Sequence, residues 1–260
     1  MCPKKELTTE LLNLISKYKF AGKGSVSWSI PKERVNIKKD EFQEILKKKT
    51  CEDIFDHELR PRITREPALN KAEWLDNDVM RLEFVYKDRS YFIEDEYDIK
   101  EIWPTRRASI LVTLLKDGFI IESRAEFHQA SRLHRIVSSL IGIETQIMDF
   151  SDEDIKKIKD ALDARKRLAR HKRAGGDIDV IEMIASETLN DLDDSEEYCE
   201  MLSGDELKKA GYKFRYTMVN GFELDITIYI NNNGSIWFVS SAPEEVREHV
   251  FSCVRSVKGL

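Results

Sequence analysis

Residues 108–123 read ASILVTLLKDGFIIES, and this stretch decides the fold of the middle of the chain. Two apolar runs with β-branched residues flank the short connection Lys116-Asp117-Gly118. Asp-Gly between runs of this kind is a strong signal for a β-hairpin. An apolar stripe at helical spacing follows over residues 126–142. The stretch therefore predicts an antiparallel hairpin covered by a helix.

The same pattern occurs a second time near the end of the chain. Residues 224–242, LDITIYINNNGSIWFVSSA, resemble residues 110–125, ILVTLLKDGFIIESRA, and each stretch precedes a helical pattern. The likeness suggests a duplicated sheet–helix unit. The alternative is that any two units of a hairpin and a helix look alike.

Periodicity also predicts elements on either side of these two hairpins. Alternating residues predict a strand over 79–87, and YKFRYTMV predicts a strand before the last hairpin. Ser151 with Asp154 has the spacing of a capping box, which opens a predicted helix. The predicted helices outside the two units span residues 6–18, 39–48, 51–58, 151–173 and 178–190.

These elements predict an α+β protein with a small N-terminal helical module, then two antiparallel sheet–helix units joined by a helix pair. The expected divisions are a basic helical module over residues 1–75 and a central sheet with its helix over 76–150. Bridging helices with an acidic linker follow over 151–203, and a C-terminal meander with its helix over 204–260.

Composition limits the class of protein. No run approaches the 18 apolar residues that a membrane-spanning helix needs, and the first residues lack the apolar core of a secretory signal. We therefore expect an intracellular, chromosome-associated protein of the cytoplasm, nucleoid or nucleus. The cysteines are scattered without a CxxC pair, so no zinc site and no cofactor are expected.

Charge is distributed unevenly along the chain. The net charge is −6, yet residues 1–50 hold twelve Lys and Arg against six Asp and Glu. The segment 165–173, RKRLARHKR, holds six cationic residues and no acid, whereas residues 177–206 hold twelve acids and no Lys or Arg. Basic clusters within an acidic protein favour a polyanionic partner, although a single cluster is more often a solvated face.

Catalytic motifs are absent from the sequence: it contains no HExxH, GxSxG, P-loop or GxGxxG pattern. Asp98-Ile99-Lys100 has the spacing of a nuclease carboxylate and lysine, with Asp76, Asp78 and Glu94 as further metal ligands. In a chain with 35 % charged residues such a set also arises by chance. The acidic run 191–197 lacks the glycine of a calcium loop, so a solvated linker is expected there.

Several stretches together resemble the CENP-N family of inner-kinetochore proteins. The central resemblance runs from Arg106 to Leu162. Its segments are ASILVTLLKDGFIIES, SRLHRIVSSLIGIETQIMDF and IKKIKDAL, with MRLEF upstream. ELTTELLNLISKYKF is similar to the first helix of that family, and VIEMIASETLNDL, YKFRYTMV and SIWFVSS are similar to its distal region.

The resemblance implies a non-catalytic, DNA- or chromatin-associated adaptor in chromosome segregation. In that family a basic surface holds nucleosomal DNA and a histone loop, and the C-terminal domain pairs with CENP-L. The family's arginine pair after the second hairpin strand falls here near Glu126 and Phe127, and only Arg124 is close. This departure fits a distant relative outside the animal lineages, such as a prokaryotic one.

The predicted function is therefore duplex DNA or chromatin binding by an adaptor without enzymatic activity. The alternatives are a metal-dependent nuclease and a protein scaffold that does not bind nucleic acid. A homodimer or a sister subunit is expected through Phe222, Ile236, Trp237 and Phe238. The predicted nucleic-acid-binding residues are Lys17, Lys19, Lys23, Lys32, Arg34, Lys38, Lys39, Arg60, Arg62, Arg65, Arg106, Arg107 and Arg124.

Overall fold

The computed structural model describes residues 20–21, 24–50, 63–88, 90–95, 98–125, 127–173, 180–201, 205–240 and 242–260. The helices predicted over 6–18 and 51–58 lie outside these residues, as do Lys17, Lys19, Lys23, Arg60 and Arg62. The chain divides into a central unit, Ser25–Met148, and a C-terminal unit, Asp149–Leu260, which is joined by the strand Phe20–Ala21.

The central unit is an antiparallel sheet with two helices on one face. Its strands are β2 (Gly24–Pro31), β3 (Ala68–Trp74), β4 (Val79–Lys87), β5 (Tyr91–Asp95), β6 (Asp98–Ile102), β7 (Thr105–Leu115), β8 (Gly118–Ser123) and β9 (Thr145–Ile147), and its helices are α1 (Lys39–Thr50) and α2 (Phe127–Ile141). The strand order is β3-β4-β7-β8-β2, β9 pairs with β2, and β5 and β6 form a separate hairpin.

The core of the central unit lies between the sheet and these helices. α1 contributes Phe42, whose ring meets that of Phe119 on β8 edge to face, with 6.2 Å between ring centroids. Leu133 and Val137 of α2 join the same cluster, as does Leu82 of β4. Burying these side chains is the main favourable term for the unit, at about 25 cal/mol per Å² of apolar area.

In the C-terminal unit the antiparallel strands follow the order β11-β10-β12-β13-β14. The short strands β1 (Phe20–Ala21) and β15 (Ala242–Pro243) form a separate two-stranded pair in this unit. Its elements are α3 (Asp152–Ala161), β10 (Arg165–Lys172), β11 (Val180–Ile184), a 3₁₀ turn (Leu192–Asp194), α4 (Glu196–Met201), β12 (Glu206–Thr217), β13 (Glu223–Asn231), β14 (Ser235–Phe238) and α5 (Glu244–Lys258).

Both predicted hairpins are confirmed. β7 and β8 pair with Leu115 opposite Gly118, and β13 and β14 pair with Ile230 opposite Ile236. A helix follows each hairpin, α2 in the first case and α5 in the second. A shared origin of the two units stays a prediction.

The predicted fold class is wrong in two places. The region expected to be a helical module contains β2 and β3, which belong to the central sheet, and α1 is its only helix among the described residues. The expected bridging helix pair is also wrong, because α3 ends at Ala161 and the residues beyond it form the hairpin β10–β11. The described residues contain more strand than helix, and the protein is built mainly from antiparallel sheet.

Candidate nucleic-acid interface

A basic pocket of about 330 Å³ opens in the central unit, beside the point where β4 ends and β7 begins. Lys87 is the last residue of β4 and pairs with Thr105, the first residue of β7. The backbone N–H of Lys87 donates to the carbonyl of Thr64, at 2.6 Å, which holds the segment before β3 alongside. The residues that line the pocket are Arg65, Lys87, Asp88, Ser90, Trp103, Gln129 and Arg132.

Trp103 anchors the arginine of this pocket that the sequence predicted. The guanidinium carbon of Arg65 lies 4.1 Å from the centre of the Trp103 ring. Cation–π contact favours arginine over other side chains and leaves the edge of the guanidinium free to donate hydrogen bonds. Arg65 is exposed, so the stacked group faces solvent.

Two carboxylates offset part of the positive charge around the pocket. Arg132 on α2 donates to Glu66, with 3.1 Å between Nε and Oε2, and Arg106 donates to Asp88 at 3.0 Å. Both pairs are partly exposed, and exposed pairs of this kind contribute about 0–1 kcal/mol. They can therefore exchange a carboxylate for a phosphate at small cost.

Gln129 supplies a neutral acceptor to the pocket. It lies in the first turn of α2, and its side-chain oxygen is buried without a hydrogen-bond donor among the described residues. A buried acceptor without a donor costs about 1–3 kcal/mol. A ligand hydroxyl or amino group in the pocket would remove that cost.

The remaining predicted cations of the N-terminal region lie elsewhere on the central unit. Lys32 pairs with Glu144 at 2.7 Å, and this hydrogen bond raises the pKa of the ammonium group. The ammonium group of Lys39 lies 4.6 Å from the centre of the ring of Trp74, at the far end of β3 from Arg65. Arg34 and Lys38 are exposed between β2 and α1. The structure thus separates these residues from the pocket.

Arg124 has a structural partner. Its Nε donates to Oε1 of Glu122 at 2.7 Å, and the second oxygen of the same carboxylate accepts from the indole N–H of Trp28 at 3.3 Å. Glu122 is only 3 % exposed. A buried carboxylate requires a cation and hydrogen-bond donors. The charge of Arg124 thus stabilises Glu122, and a contact of Arg124 with DNA stays a prediction.

The predicted partner surface is also corrected in part. Ile236 and Phe238 point into the core of the C-terminal unit and are buried. Trp237 points to the opposite side of β14, as alternation along a strand requires, and is 45 % exposed. Phe222 is exposed at the turn before β13. Two of the four residues are thus available to a partner, and the dimer or sister subunit stays a prediction.

Two of the acids named for the nuclease alternative lie at the far end of β4 from the segment that leads to Asp98. Asp76 and Asp78 lie in the turn before β4, whereas the hairpin that carries Asp98 follows the other end of that strand. The nine residues of β4 span roughly 27 Å. Among the residues that the structure describes, no group of three His, Cys, Asp or Glu side chains has the geometry to hold a metal ion.

The acidic run 191–197 is a folded segment, which corrects the expected solvated linker. Asp191 caps the 3₁₀ turn and pairs with Lys159 of α3 at 2.7 Å. Asp193 pairs with Lys159 and with Lys166 of β10, at 2.5 and 2.6 Å. Hydrogen bonds from these lysines lower the pKa of Asp193, although burial alone would raise it. The acids of this segment therefore fix it beside α3 and β10.

Sequence reasoning missed six residues of the pocket: Lys87, Asp88, Ser90, Trp103, Gln129 and Arg132. Lys87 ends β4, Asp88 and Ser90 follow it, Trp103 lies between β6 and β7, and Gln129 and Arg132 lie on α2. The available signal was the aromatic residue of Trp103-Pro104 one residue before Arg106-Arg107. Their assembly depends on strand register, which the sequence does not show.

Comparison with protein-family models and with curated proteins finds no match to this chain. Within the described part of the chain, no helix combines the length and the apolar character needed to cross a bilayer.

Proposed function

We propose that the protein is a non-catalytic, DNA-associated adaptor of the CENP-N type, which holds duplex DNA by its phosphate backbone at the basic pocket of the central unit. The supporting observation is the convergence of Arg65, Lys87 and Arg132, from three separate segments, around Trp103. Clustered Lys and Arg supply affinity for phosphates without reading sequence. Chromosome association is part of this proposal.

Positively charged residues also lie on the rim of the pocket. Arg106 and Arg107 are adjacent on β7 and exposed, so they project to opposite sides of the strand where it pairs with the end of β4. Arg107 forms no ion pair with a described residue. A duplex laid over this end of the sheet meets these cations together with the carboxylates of Glu66 and Asp88. In its role as an adaptor, the protein binds a second copy or a sister subunit near the exposed Phe222.

The experiment is a titration of a fluorescently labelled 30-base-pair duplex at several salt concentrations. The test variant combines Arg65→Gln, Lys87→Gln and Arg132→Gln, and the control is Lys116→Gln in the turn at the other end of the sheet. Each lost phosphate contact lowers the slope of log affinity against log salt by about 0.9. We expect a weaker, less salt-dependent complex for the triple variant only.

Affinity that is independent of salt, or equal in the triple variant and the parent protein, contradicts the proposal. The same duplex incubated with Mg²⁺ or Mn²⁺ addresses the nuclease alternative. Cutting by the parent that disappears in Asp98→Ala would replace the adaptor with that enzyme.

A further inference from the structure

The outer face of the C-terminal sheet carries an apolar row that crosses all five strands. α3 and α5 belong to the face that buries Ile226, Ile228 and Ile230. On the other face, strand register places five residues side by side, and cross-strand partners point the same way. In order from β11 to β14 they are Ile184, Leu168, Gly211, Tyr229 and Trp237.

Two aromatic rings lie next to one another in this row. The rings of Tyr229 and Trp237 are 5.7 Å apart between centroids and inclined by 50°. A Cβ atom at Gly211 would lie 2.7 Å from Cε1 of Tyr229, closer than real contacts allow. The glycine therefore makes room for the Tyr229 ring to lie across the strand. Ile184 and Trp237, at the two ends of the row, are 70 % and 45 % exposed.

A row of cations runs beside the rings. Arg170 on β10 lies directly opposite Lys209 on β12, and the ammonium group of Lys209 is 4.0 Å from the centre of the Tyr229 ring. Lys172 lies further along β10. Arg170, Lys172 and Lys209 line a pocket of about 440 Å³. Its other lining residues are Val180, Lys208 and Asn231.

The positive charge at this end of the sheet is not neutralised by ion pairs. Arg170, Lys172 and Lys209 form no ion pair with a described residue, whereas Lys208 pairs with Glu206. Like charges directly opposite on neighbouring strands destabilise a sheet. An anion bound between Arg170 and Lys209 would reverse that effect.

Other charges on this face are balanced. Asp225 pairs with Lys213 at 3.0 Å and with Arg215 at 3.2 Å. Glu182 lies opposite Arg170 on β11 without reaching ion-pair distance. Glu206 lies opposite Lys172, so the end beside Tyr229 holds two acids, Glu182 and Glu206, against the four cations Arg170, Lys172, Lys208 and Lys209.

We propose that this face binds single-stranded nucleic acid, with bases stacked on Tyr229 and Trp237 and phosphates held by Arg170, Lys172 and Lys209. Aromatic rings on a sheet accept the faces of unpaired bases, and cations beside them follow the backbone. Duplex DNA does not fit this arrangement, because its bases are already stacked on each other. The site is separate from the pocket proposed for duplex DNA.

A second copy of the chain fits this face poorly. A two-fold dimer places the same patch on both partners. Arg170 and Lys209 of one copy would then approach their like-charged equivalents. A polyanion with exposed bases instead supplies negative charge to Arg170 and Lys209 and flat surfaces that stack on the aromatic rings.

The test is binding of labelled 12-mers of oligo(dT) and oligo(U), measured by fluorescence anisotropy with the full chain. Replacing one stacking ring weakens such complexes about 5- to 100-fold, so we expect that loss for Trp237→Leu. Trp237→Phe keeps a ring and should retain most of the affinity. Arg170→Gln with Lys209→Gln should lower the salt slope by about 1.4, since each contact to a single strand contributes about 0.7.

The matched control is Lys156→Gln, an exposed lysine on α3 of the same unit. Tighter binding of oligo(U) assigns RNA as the ligand, tighter binding of oligo(dT) assigns DNA, and equal binding shows that the 2′-hydroxyl is not contacted. Thermal melting confirms that each variant is folded. The duplex titration with the same variants should be unchanged, which separates failure of this site from failure of the central pocket.

Three results overturn the proposal. The first is parental affinity in Trp237→Leu, and the second is an equal loss in Lys156→Gln and the double variant. The third is a dimer of the parent, seen by light scattering, that Trp237→Leu converts to a monomer. That last result would make this face a contact between two copies of the chain.

Discussion

At the scale of single residues, His134 is the buried group with the clearest consequence. It lies on α2 and is 3 % exposed, and its Nδ1 is 2.6 Å from the hydroxyl oxygen of Ser29 on β2. Its Nε2 has no hydrogen-bond partner among the described residues. Burial lowers the pKa of His134 to about 4, so the ring is neutral in the folded protein.

This depressed pKa makes stability fall in acid. The unfolded chain binds a proton at His134 below about pH 6.5, whereas the folded chain binds it only below about pH 4. The stabilisation that the neutral His134 ring gives the fold is complete above pH 6.5, and it is lost as the pH falls towards 4. Between pH 7 and pH 5 we expect the free energy of unfolding of the parent to fall by about 2 kcal/mol more than that of His134→Gln. Urea unfolding at both pH values measures this difference.

Other groups titrate equally in the parent and in His134→Gln, so the difference between the two curves isolates this ring. Gln can still bond to Ser29 while carrying no titratable charge. Parallel curves over this pH range would show that His134 is protonated in the fold.

Residue types were predictable from the sequence, but their partners were not. Arg65 and Arg124 were both counted as cations for DNA, yet one stacks on Trp103 in a pocket and the other neutralises buried Glu122. A charge count cannot distinguish these roles, because the counter-ion comes from a distant part of the chain. Trp237 was predicted to be exposed to a partner, and the companion rings and cations of its face depend on register.

At the scale of elements, the segment from Arg165 to Ile184 shows where periodicity fails. RKRLARHK suits a helix by composition, but Ala169 and His171 point inward while Arg170 and Lys172 point outward, which is the alternation of a strand. α3 ends because Asp163 adopts φ 48°, a left-handed conformation that Asp tolerates better than most residues. The helix predicted to extend to residue 173 therefore ends at Ala161.

The beginning of α3 was predicted correctly. The hydroxyl of Ser151 accepts from the backbone N–H of Asp154 at 3.1 Å, and the carboxylate of Asp154 accepts from the N–H of Ser151 at 3.0 Å. Asp154 also pairs with Lys258 of α5 at 2.8 Å. Burial would raise the pKa of Asp154, but the hydrogen bonds from Lys258 and Ser151 lower it below its usual value. The capping box thus joins the start of one helix to the end of another.

Removing the cap should destabilise the C-terminal unit. Ser151→Ala leaves the Asp154 N–H without its acceptor, and the expected loss is about 1 kcal/mol of unfolding free energy. The control is Ser252→Ala, which replaces an exposed serine within α5 and should change stability by only a few tenths, about 0.5 kcal/mol at most. An equal free energy of unfolding for the two variants, measured by chemical denaturation, would show that the cap does not contribute to stability.

At the scale of the whole molecule, each unit has a core of its own. Val137 of α2 belongs to the cluster that covers the central sheet, and it is fully buried. Val250 is equally buried on the inner face of α5 in the C-terminal unit. The two hairpins and their helices were predictable from local patterns, whereas the addition of β2, β3, β10 and β11 to the sheets required pairing between distant segments.

The pair Val137→Ala and Val250→Ala tests whether the two cores are stabilised separately. Each change removes the same two methyl groups and leaves a cavity, at an expected cost of about 2 kcal/mol. Because the lost contacts belong to one core, we expect faster amide exchange in β4, β7 and β8 for Val137→Ala. The faster exchange should instead affect β12 and β13 for Val250→Ala, with the other unit unchanged in each case. Faster exchange throughout the chain in both variants would show that the two cores open as one cooperative unit, since each opening would then expose both sheets together.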